Sequence, residues 1–389
     1  MWALNLLLPI FFAVGALSRS GGSQAALRNA NNEELASSTT SALLSLHRSL
    51  VEQQSTTGSE AAVTDFLVSY LRGQNLTVEK QLVTSSPPRH NVLAYGGAQR
   101  RTRTLVTSHL DTVPPYWRYE RRGDEEIWGR GTVDAKGSVA AQITAVLGLL
   151  GRGAVRAEGD VALLFVVGEE TGGDGMRRAN ALGLAWHSVI FGEPTGLKLA
   201  AGHKGMLGCV VRARGKAGHS GYPELGRSAN AMLVAALHEL LRAPLPASPK
   251  YGKTTLNIGR IDGGVAANVI AEEAAAHLAI RIAAGEPRDV LDILERAVAR
   301  AGFGDDLTVS PVTAGYGPVP IDHDVDGFDT IVVSYGTDIP NLDGHHKSYL
   351  YGPGDILVAH SDHEHLNVSD LVAAVEGYEI LIKESLSKS

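Results

Sequence analysis

The chain has 389 residues, 44% of them hydrophobic and 20% charged, so it holds the material for a large core and wholesale disorder is excluded. Its length suits two domains. The formal net charge is -7 and no Lys/Arg run with interleaved aromatics occurs, which argues against nucleic acid as a partner. A single cysteine, Cys209, rules out an intrachain disulfide.

Residues 1–17, MWALNLLLPIFFAVGAL, form an apolar run at the start of the chain. It is short for a membrane span and fits the core of a secretory signal peptide, although no Lys or Arg precedes it. Residues 1–25 are therefore assigned to a signal peptide and leader, with Ala16 or Ala25 as alternative cleavage points. The expected product is secreted and free of membrane; a membrane anchor or a buried helix is the alternative. Residues 18–40, rich in Ser, Gly, Asn and Ala, read as a flexible leader. Two sequons, at Asn75 and Asn367, suit a secreted glycoprotein.

The next elements alternate. SALLSLHRSLVEQQ and EAAVTDFLVSYLRGQ carry apolar residues at helical spacing. HNVLAYGG and RTLVTSHLD read as short buried strands, and KGSVAAQITAVLGLLGRG as a helix stopped by glycines. DVALLFVVGEE and HSVIFGEPT are apolar strands that run into polar turns. This alternation predicts an α/β domain with a mostly parallel sheet and helices on both faces. Near residue 205 the pattern becomes strand, helix, strand, strand, helix, strand, a compact α+β insert. The expected division is 26–204 and 314–389 for the α/β domain, with 205–313 inserted.

Polar residues stand at the carboxyl ends of the apolar strands, where parallel α/β sheets form their ligand crevice. They are His109 and Asp111, then Asp134, then Glu169 and Glu170, then Glu193, with His360 near the end of the chain. One His or one Glu in a turn is ordinary, and a carboxylate before a helix is often an N-cap. The group as a whole points to metal. Two His and three carboxylates give each of two zinc ions one His, one private carboxylate and one shared carboxylate. His109 and Asp111 are two apart, so on a strand they point the same way, and Asp111 can accept from the ring nitrogen that His109 does not give to metal. Glu169 and Glu170 are adjacent and diverge, so one can bind metal while the other serves as general base.

The stretches SHLDTVP, WGRGTVDAKG, GEETGG, GEPT, GHSGYPELG, GGVAANVI and YGPGDILVAH, with Glu364 beyond the last, occur in order. Together they resemble the M20 metallopeptidases, which include acetylornithine deacetylase, succinyl-diaminopimelate desuccinylase, aminoacylase and glutamate carboxypeptidase. The likeness runs from about residue 42 to 385, and GEPT followed by GHKG looks most like the acetylornithine deacetylase branch. It implies a zinc-exopeptidase-like fold with an inserted lid and dimerisation domain. It also implies that His109, Asp134 and Glu193 hold one metal and that Asp134, Glu170 and His360 hold the other. Asp111 would orient His109, and Glu169 would be the general base. His363 and His365 compete with His360, and the AH-x3-E spacing selects His360, with Glu364 beside it. His345 and His346 match no ligand position.

The resemblance further implies that His219 crosses to the active site of a second copy, to stabilise the tetrahedral oxyanion. Asn268 and Arg281 would grip the substrate carboxylate, with Tyr222 lining the same pocket. A cis peptide after Asp134 is also implied. The expected function is a secreted hydrolase, with two zinc ions per subunit or cobalt or manganese in their place, that cleaves an amide next to a free carboxylate. A carboxypeptidase is the first reading and an N-acyl-amino-acid deacylase the alternative. A binding protein on an inactive peptidase scaffold is the non-enzyme alternative. A homodimer through the lid is the expected assembly.

Overall fold

A computed structural model of the chain describes residues 21–388. The chain divides into two compact units, Met1–Ser45 and Leu46–Ser389. The apolar run 1–17 and Ala16 lie outside the described residues. Helix α1 covers Gly21–Glu52, so the part of the expected flexible leader from 21 to 40 is helical, while residues 18–20 lie outside the described residues. Helix propagation is cheap once a first turn exists, so the apolar segment after residue 42 carries the helix back through Ala-containing sequence.

After α1 come α2 (Ala61–Gly73), β1 (Thr77–Ser85), β2 (Pro88–Tyr95), β3 (Thr104–His109), β4 (Glu120–Arg122), β5 (Glu126–Trp128), α3 (Lys136–Gly151) and β6 (Val161–Val166). Next are α4 (Asp174–Ala179), β7 (Ser188–Gly192), β8 (Leu199–His203), β9 (Gly205–Arg214), β10 (Gly218–His219), α5 (Ala229–Leu241), β11 (Ala247–Ser248) and β12 (Gly252–Lys253). The rest are β13 (Thr255–Gly263), β14 (Val269–Ile270), β15 (Glu273–Ile282), α6 (Pro287–Arg300), β16 (Leu307–Pro311), β17 (Val319–Pro320), β18 (Thr330–Val333), β19 (Lys347–Tyr351), β20 (His365–Asn367) and α7 (Val368–Ser387).

The fold is α/β, with a six-stranded sheet in the order β1-β2-β6-β3-β7-β19. The β6-β3, β3-β7 and β7-β19 pairs are parallel, and the β1-β2 hairpin adds antiparallel strands at one edge. Every residue of β3, β6 and β7 is buried, as continuous apolar strands in the middle of a covered sheet must be. Leu105, Leu164 and Val189 face one core, which Met176 and Ala179 of α4 complete. The alternating residues face the other side, where α3 and α7 pack. The entry to α3 is tight: a β-carbon on Gly137 would lie 2.8 Å from the Thr132 carbonyl and 2.8 Å from the Leu366 side chain.

A second, antiparallel sheet has the order β13-β15-β9-β16. One face carries α5 and α6 over Leu207, Val211, Leu278 and Ile280, and contains Cys209. The burial of β15 alternates strictly, the signature of a sheet covered on one side. Helix α6 starts at a reciprocal cap between Glu286 and Asp289 with Pro287 in its first turn. The sheet β20-β5-β4 was not expected, because its strands are three residues each and largely polar, with no alternation to read.

Candidate functional site

Strands β6, β3 and β7 lie side by side and parallel, so their carboxyl ends form one row. His109 is the last residue of β3 and lies opposite Val166. Glu169 and Glu170 open a short 3-10 turn just beyond β6, and Glu193 follows β7 directly. Asp134 sits on the loop that enters α3, and the peptide bond between it and Ala135 is cis. His360 arrives from a loop far down the chain, with φ +59°.

These residues meet. His109 Nε2 is 3.1 Å from Asp134 Oδ1 and 3.7 Å from Glu193 Oε1. His360 Nε2 is 3.1 Å from Asp134 Oδ2 and 3.0 Å from Glu170 Oε2. Asp134 thus turns one oxygen to each histidine. Ligand atoms of His109, Asp134 and Glu170 all fall within 4.8 Å of one another. His109, Asp134 and Glu193 are buried.

Burial sets the electrostatics. It pushes Glu193 up to about 7, with the charges of Asp134 and Glu170 adding to it. Glu169 is raised well above the usual carboxylate range, by burial first and then by Glu193. Glu170 is raised by burial and Asp134. Burial would raise Asp134 too, but hydrogen bonds to His109 and His360 outweigh it and leave the carboxyl low. A row of crowded buried carboxylates is costly without positive charge among them. Glu170 Oε1 is buried with no hydrogen-bond partner. An orphaned carboxylate oxygen beside imidazole nitrogen and further carboxylates is a donor set suited to zinc, so these residues fit a metal.

Asp111 does something other than expected. His109 Nδ1 meets the backbone carbonyl of Asp111 at 2.9 Å, while the Asp111 carboxylate is 3.7 Å away. Strand β3 ends at His109, so the side-chain alternation assumed for residue 111 does not extend that far. The Asp111 carboxylate instead accepts from the amides of Gly168 (2.9 Å), Glu169 (3.1 Å) and Glu170 (3.3 Å) and from the Thr57 hydroxyl (2.8 Å). It fixes the turn that carries both glutamates.

Glu364 plays a similar part for Asp134. It is buried and accepts from Arg130 (2.6 Å) and from the amides of Gly131 (2.8 Å), Val133 (3.2 Å) and Asp134 (3.3 Å). Of the three nearby histidines only His360 joins the cluster: His363 is exposed beside Asp362, and His365 stacks on Trp128 with ring centres 4.7 Å apart. His345 is exposed and His346 half-buried, both away from the cluster's contacts.

Residues 201–305 match the family described as Peptidase dimerisation domain, of the M20 peptidases. A protein of Aspergillus flavus named "Probable carboxypeptidase" is 47% identical over 384 residues, covering 90% of this chain and 88% of that protein. A Peptidase M20 domain-containing protein of Sordaria macrospora is 47% identical over 395 residues, covering 91% and 87%. This chain belongs to the M20 peptidase family. The fold also matches that of a dinuclear metal-binding M20 peptidase from Bacillus subtilis, with TM-score 0.63 at 16% identity over 91% of this chain and all of that one. The protein is a metal-dependent M20 peptidase, which removes the binding-protein alternative.

The four residues expected to contact substrate or a second copy lie in the matched segment, 201–305. His219 is exposed, pairs with Val269 across β10 and β14, and accepts from the Gly221 amide at 3.0 Å. Tyr222 is 57% exposed, with its ring 5.8 Å from that of His219. Asn268 is exposed, and its carbonyl accepts from Ser220. Arg281 is half-buried on β15, opposite Thr255 and Met206. Among the described residues its guanidinium has no carboxylate partner.

Sequence reading missed three residues that surround the glutamates. Asp338 is buried and pushed up to about 6, with Oδ2 unpartnered. Tyr335 donates to the Pro194 carbonyl at 3.0 Å. Tyr316 is raised to about 12, by burial first and then by the charge of Glu169. Tyr335 and Asp338 belong to the stretch SYGTDIPN, a loop sequence with no periodic signal to read.

Proposed function

We propose that this M20 peptidase is a secreted carboxypeptidase that binds two zinc ions and cleaves the amide bond next to a free carboxylate. The observation that carries the two-metal reading is Asp134, whose two oxygens each face a different histidine at 3.1 Å. His109, Asp134 and Glu193 would hold one ion, and Asp134, Glu170 and His360 the other. The names of the relatives favour a carboxypeptidase over a deacylase. Cobalt or manganese would satisfy the same donors.

When bound, such ions polarise the amide carbonyl and lower the pKa of water. The chain's own residues do the rest. Loss of solvent around the half-buried Glu169, and then the charges of Glu193, Asp338 and Glu170, raise its affinity for a proton. That suits a base that takes a proton from water and returns it to the leaving amine. Asp111 keeps Glu169 and Glu170 aimed through their amides. Arg281 and Asn268 would read the substrate carboxylate, with Tyr222 at its rim. His219, exposed within one chain, would reach the oxyanion of a second copy in a homodimer formed through a lid spanning 205–313, with 26–204 and 314–389 as the catalytic part. Secretion rests on the apolar run at 1–17, and the exposed sequon residues Asn75 and Asn367 are open to glycosylation.

The test is Glu169→Gln in zinc-loaded protein, assayed on dipeptides and N-acyl amino acids. Turnover should fall about 10²–10⁴-fold with two metal ions per chain retained. Near-normal turnover, or hydrolysis of N-acyl amino acids alone by the parent enzyme, would reject the proposal.

A further inference from the structure

Tyr316 lies where the lid sheet meets the loop that follows β18. Its backbone pairs in both directions with Met206, at 3.0 Å each way. Met206 is the register partner of Arg281. Tyr316 and Arg281 are therefore fixed to the same strand, β9. Their polar ends converge on one backbone position of the facing loop: a β-carbon on Gly336 would lie 2.3 Å from Tyr316 Oη and 3.4 Å from an Arg281 guanidinium nitrogen. The absence of a side chain at 336 is what lets the hydroxyl come down there.

The loop side is held as well. His203 Nε2 meets the Thr337 hydroxyl at 3.1 Å, and the His203 ring stands edge-on to Tyr316 at 5.9 Å. Burial pushes the Tyr316 hydroxyl up to about 12, so it stays protonated and able to donate. The hydroxyl proton has no acceptor among the described residues, and the adjacent Arg281 has no anion. Two donors that share one frame and lack acceptors match the two oxygens of a carboxylate.

We propose that the Tyr316 hydroxyl is a second donor to the terminal carboxylate of the peptide substrate, beside Arg281, and so sets the preference for a free C-terminus. The inference rests on the carboxypeptidase reading and adds a contact to it. The carboxylate does not change during amide cleavage, so this contact is equal in ground and transition states and its loss falls on KM.

The experiment compares wild type, Tyr316→Phe and Arg281→Ala, all zinc-loaded, on one dipeptide and its C-terminal carboxamide. Tyr316→Phe should raise KM for the free acid roughly tenfold or more, with kcat held within about twofold and little change on the carboxamide. The free amino acid product, as a competitive inhibitor, should weaken by the same factor. The melting temperature should stay at the wild-type value, which a packing role for the hydroxyl would not predict. Gly336→Ala, which crowds the hydroxyl, should move KM the same way. An unchanged KM on the free acid in Tyr316→Phe, or an equal rise on the carboxamide, overturns the proposal while leaving the carboxypeptidase reading standing. A wild type that prefers the carboxamide overturns both, whereas an Arg281→Ala variant that keeps full preference for the acid overturns the shared Tyr316–Arg281 site and leaves the carboxypeptidase reading standing.

Discussion

In the crevice at the ends of β3, β6 and β7, His109, Asp111, Asp134, Glu193 and Glu364 are buried, only His360 is exposed, and most of the polar side chains are held by a second group. Asp111 collects three successive amides, Glu364 collects three more and Arg130, and Asp134 faces two histidines. The loops of the antiparallel sheet are the reverse. His219, Tyr222 and Asn268 are exposed on two short segments bonded to each other, and Val265 beside them is 88% exposed. The crevice is a finished instrument inside one chain, because pre-organised donors cost nothing at the moment of reaction. The loops carry the same kinds of residue without that support, so they gain a fixed geometry only when another surface covers them.

The sharpest way to break this contrast is Asp134→Ala. If the crevice is one metal-organised unit, hydrolysis should fall more than about 10³-fold, well past the ~10–100-fold typical for a group that only supports a ligand. Metal content by elemental analysis should drop from two ions per chain toward none. A variant that keeps both ions shows the crevice is not built around this carboxylate.

The loops are tested by His219→Ala, which should lower kcat by about 10²–10³-fold while the melting temperature stays put, since the side chain is exposed within the chain. Mixing it with Glu169→Gln protein should restore activity that neither has alone, because one crevice of a mixed pair then receives both groups. No recovery in mixtures proven to exchange subunits would mean that His219 never serves a second copy.

A smaller effect separates aiming from binding. Asp111→Ala should keep the ligand atoms but free the turn at Glu169 and Glu170, lowering kcat by roughly 10–100-fold with metal affinity also weakened. If kcat is unmoved, the amide contacts are scaffolding alone.

The mildest expected effect concerns pH. His203 and His47 are each pushed down from 6.5 to about 4, mainly by burial. Unfolded, each binds a proton below about 6.5; folded, each stays neutral until about 4. The unfolded state thus holds more protons inside that window, so stability is complete above it and falls as pH drops through it. The denaturant midpoint should be lower near pH 4.5 than near pH 7.5, and His203→Asn should flatten the difference. An equal slope in that variant would clear His203 of the effect.

The crevice was legible in the sequence because burial and chemistry conflict there. A histidine or carboxylate that ends a wholly apolar strand is conspicuous, and parallel strands bring such ends together without further instruction. That logic located His109, Glu169, Glu170 and Glu193, whereas His360 was singled out from its neighbours by the AH-x3-E resemblance. It failed one step past the strand, at Asp111, where alternation no longer governs direction. It also failed for Tyr316, Tyr335 and Asp338, which reach the site from loops whose sequence carries no period. The short polar strands β4, β5 and β20 were invisible for the same reason, since their pairing is decided by what they meet in space. The leader was misread from composition alone, where a helix already started by its neighbour prevailed.

The placement of Glu364 has a consequence for timing. The loop it holds, Gly131 to Asp134, leaves the ribosome more than half the chain earlier, yet the carboxylate that receives its amides arrives only near the end of 389 residues. His360 arrives at the same late stage. During synthesis the aspartate loop is therefore unbraced and lacks its second histidine, so a growing chain carries no competent blade. The metal cluster is therefore complete only once the segment that carries His360 and Glu364 has folded against the earlier loop.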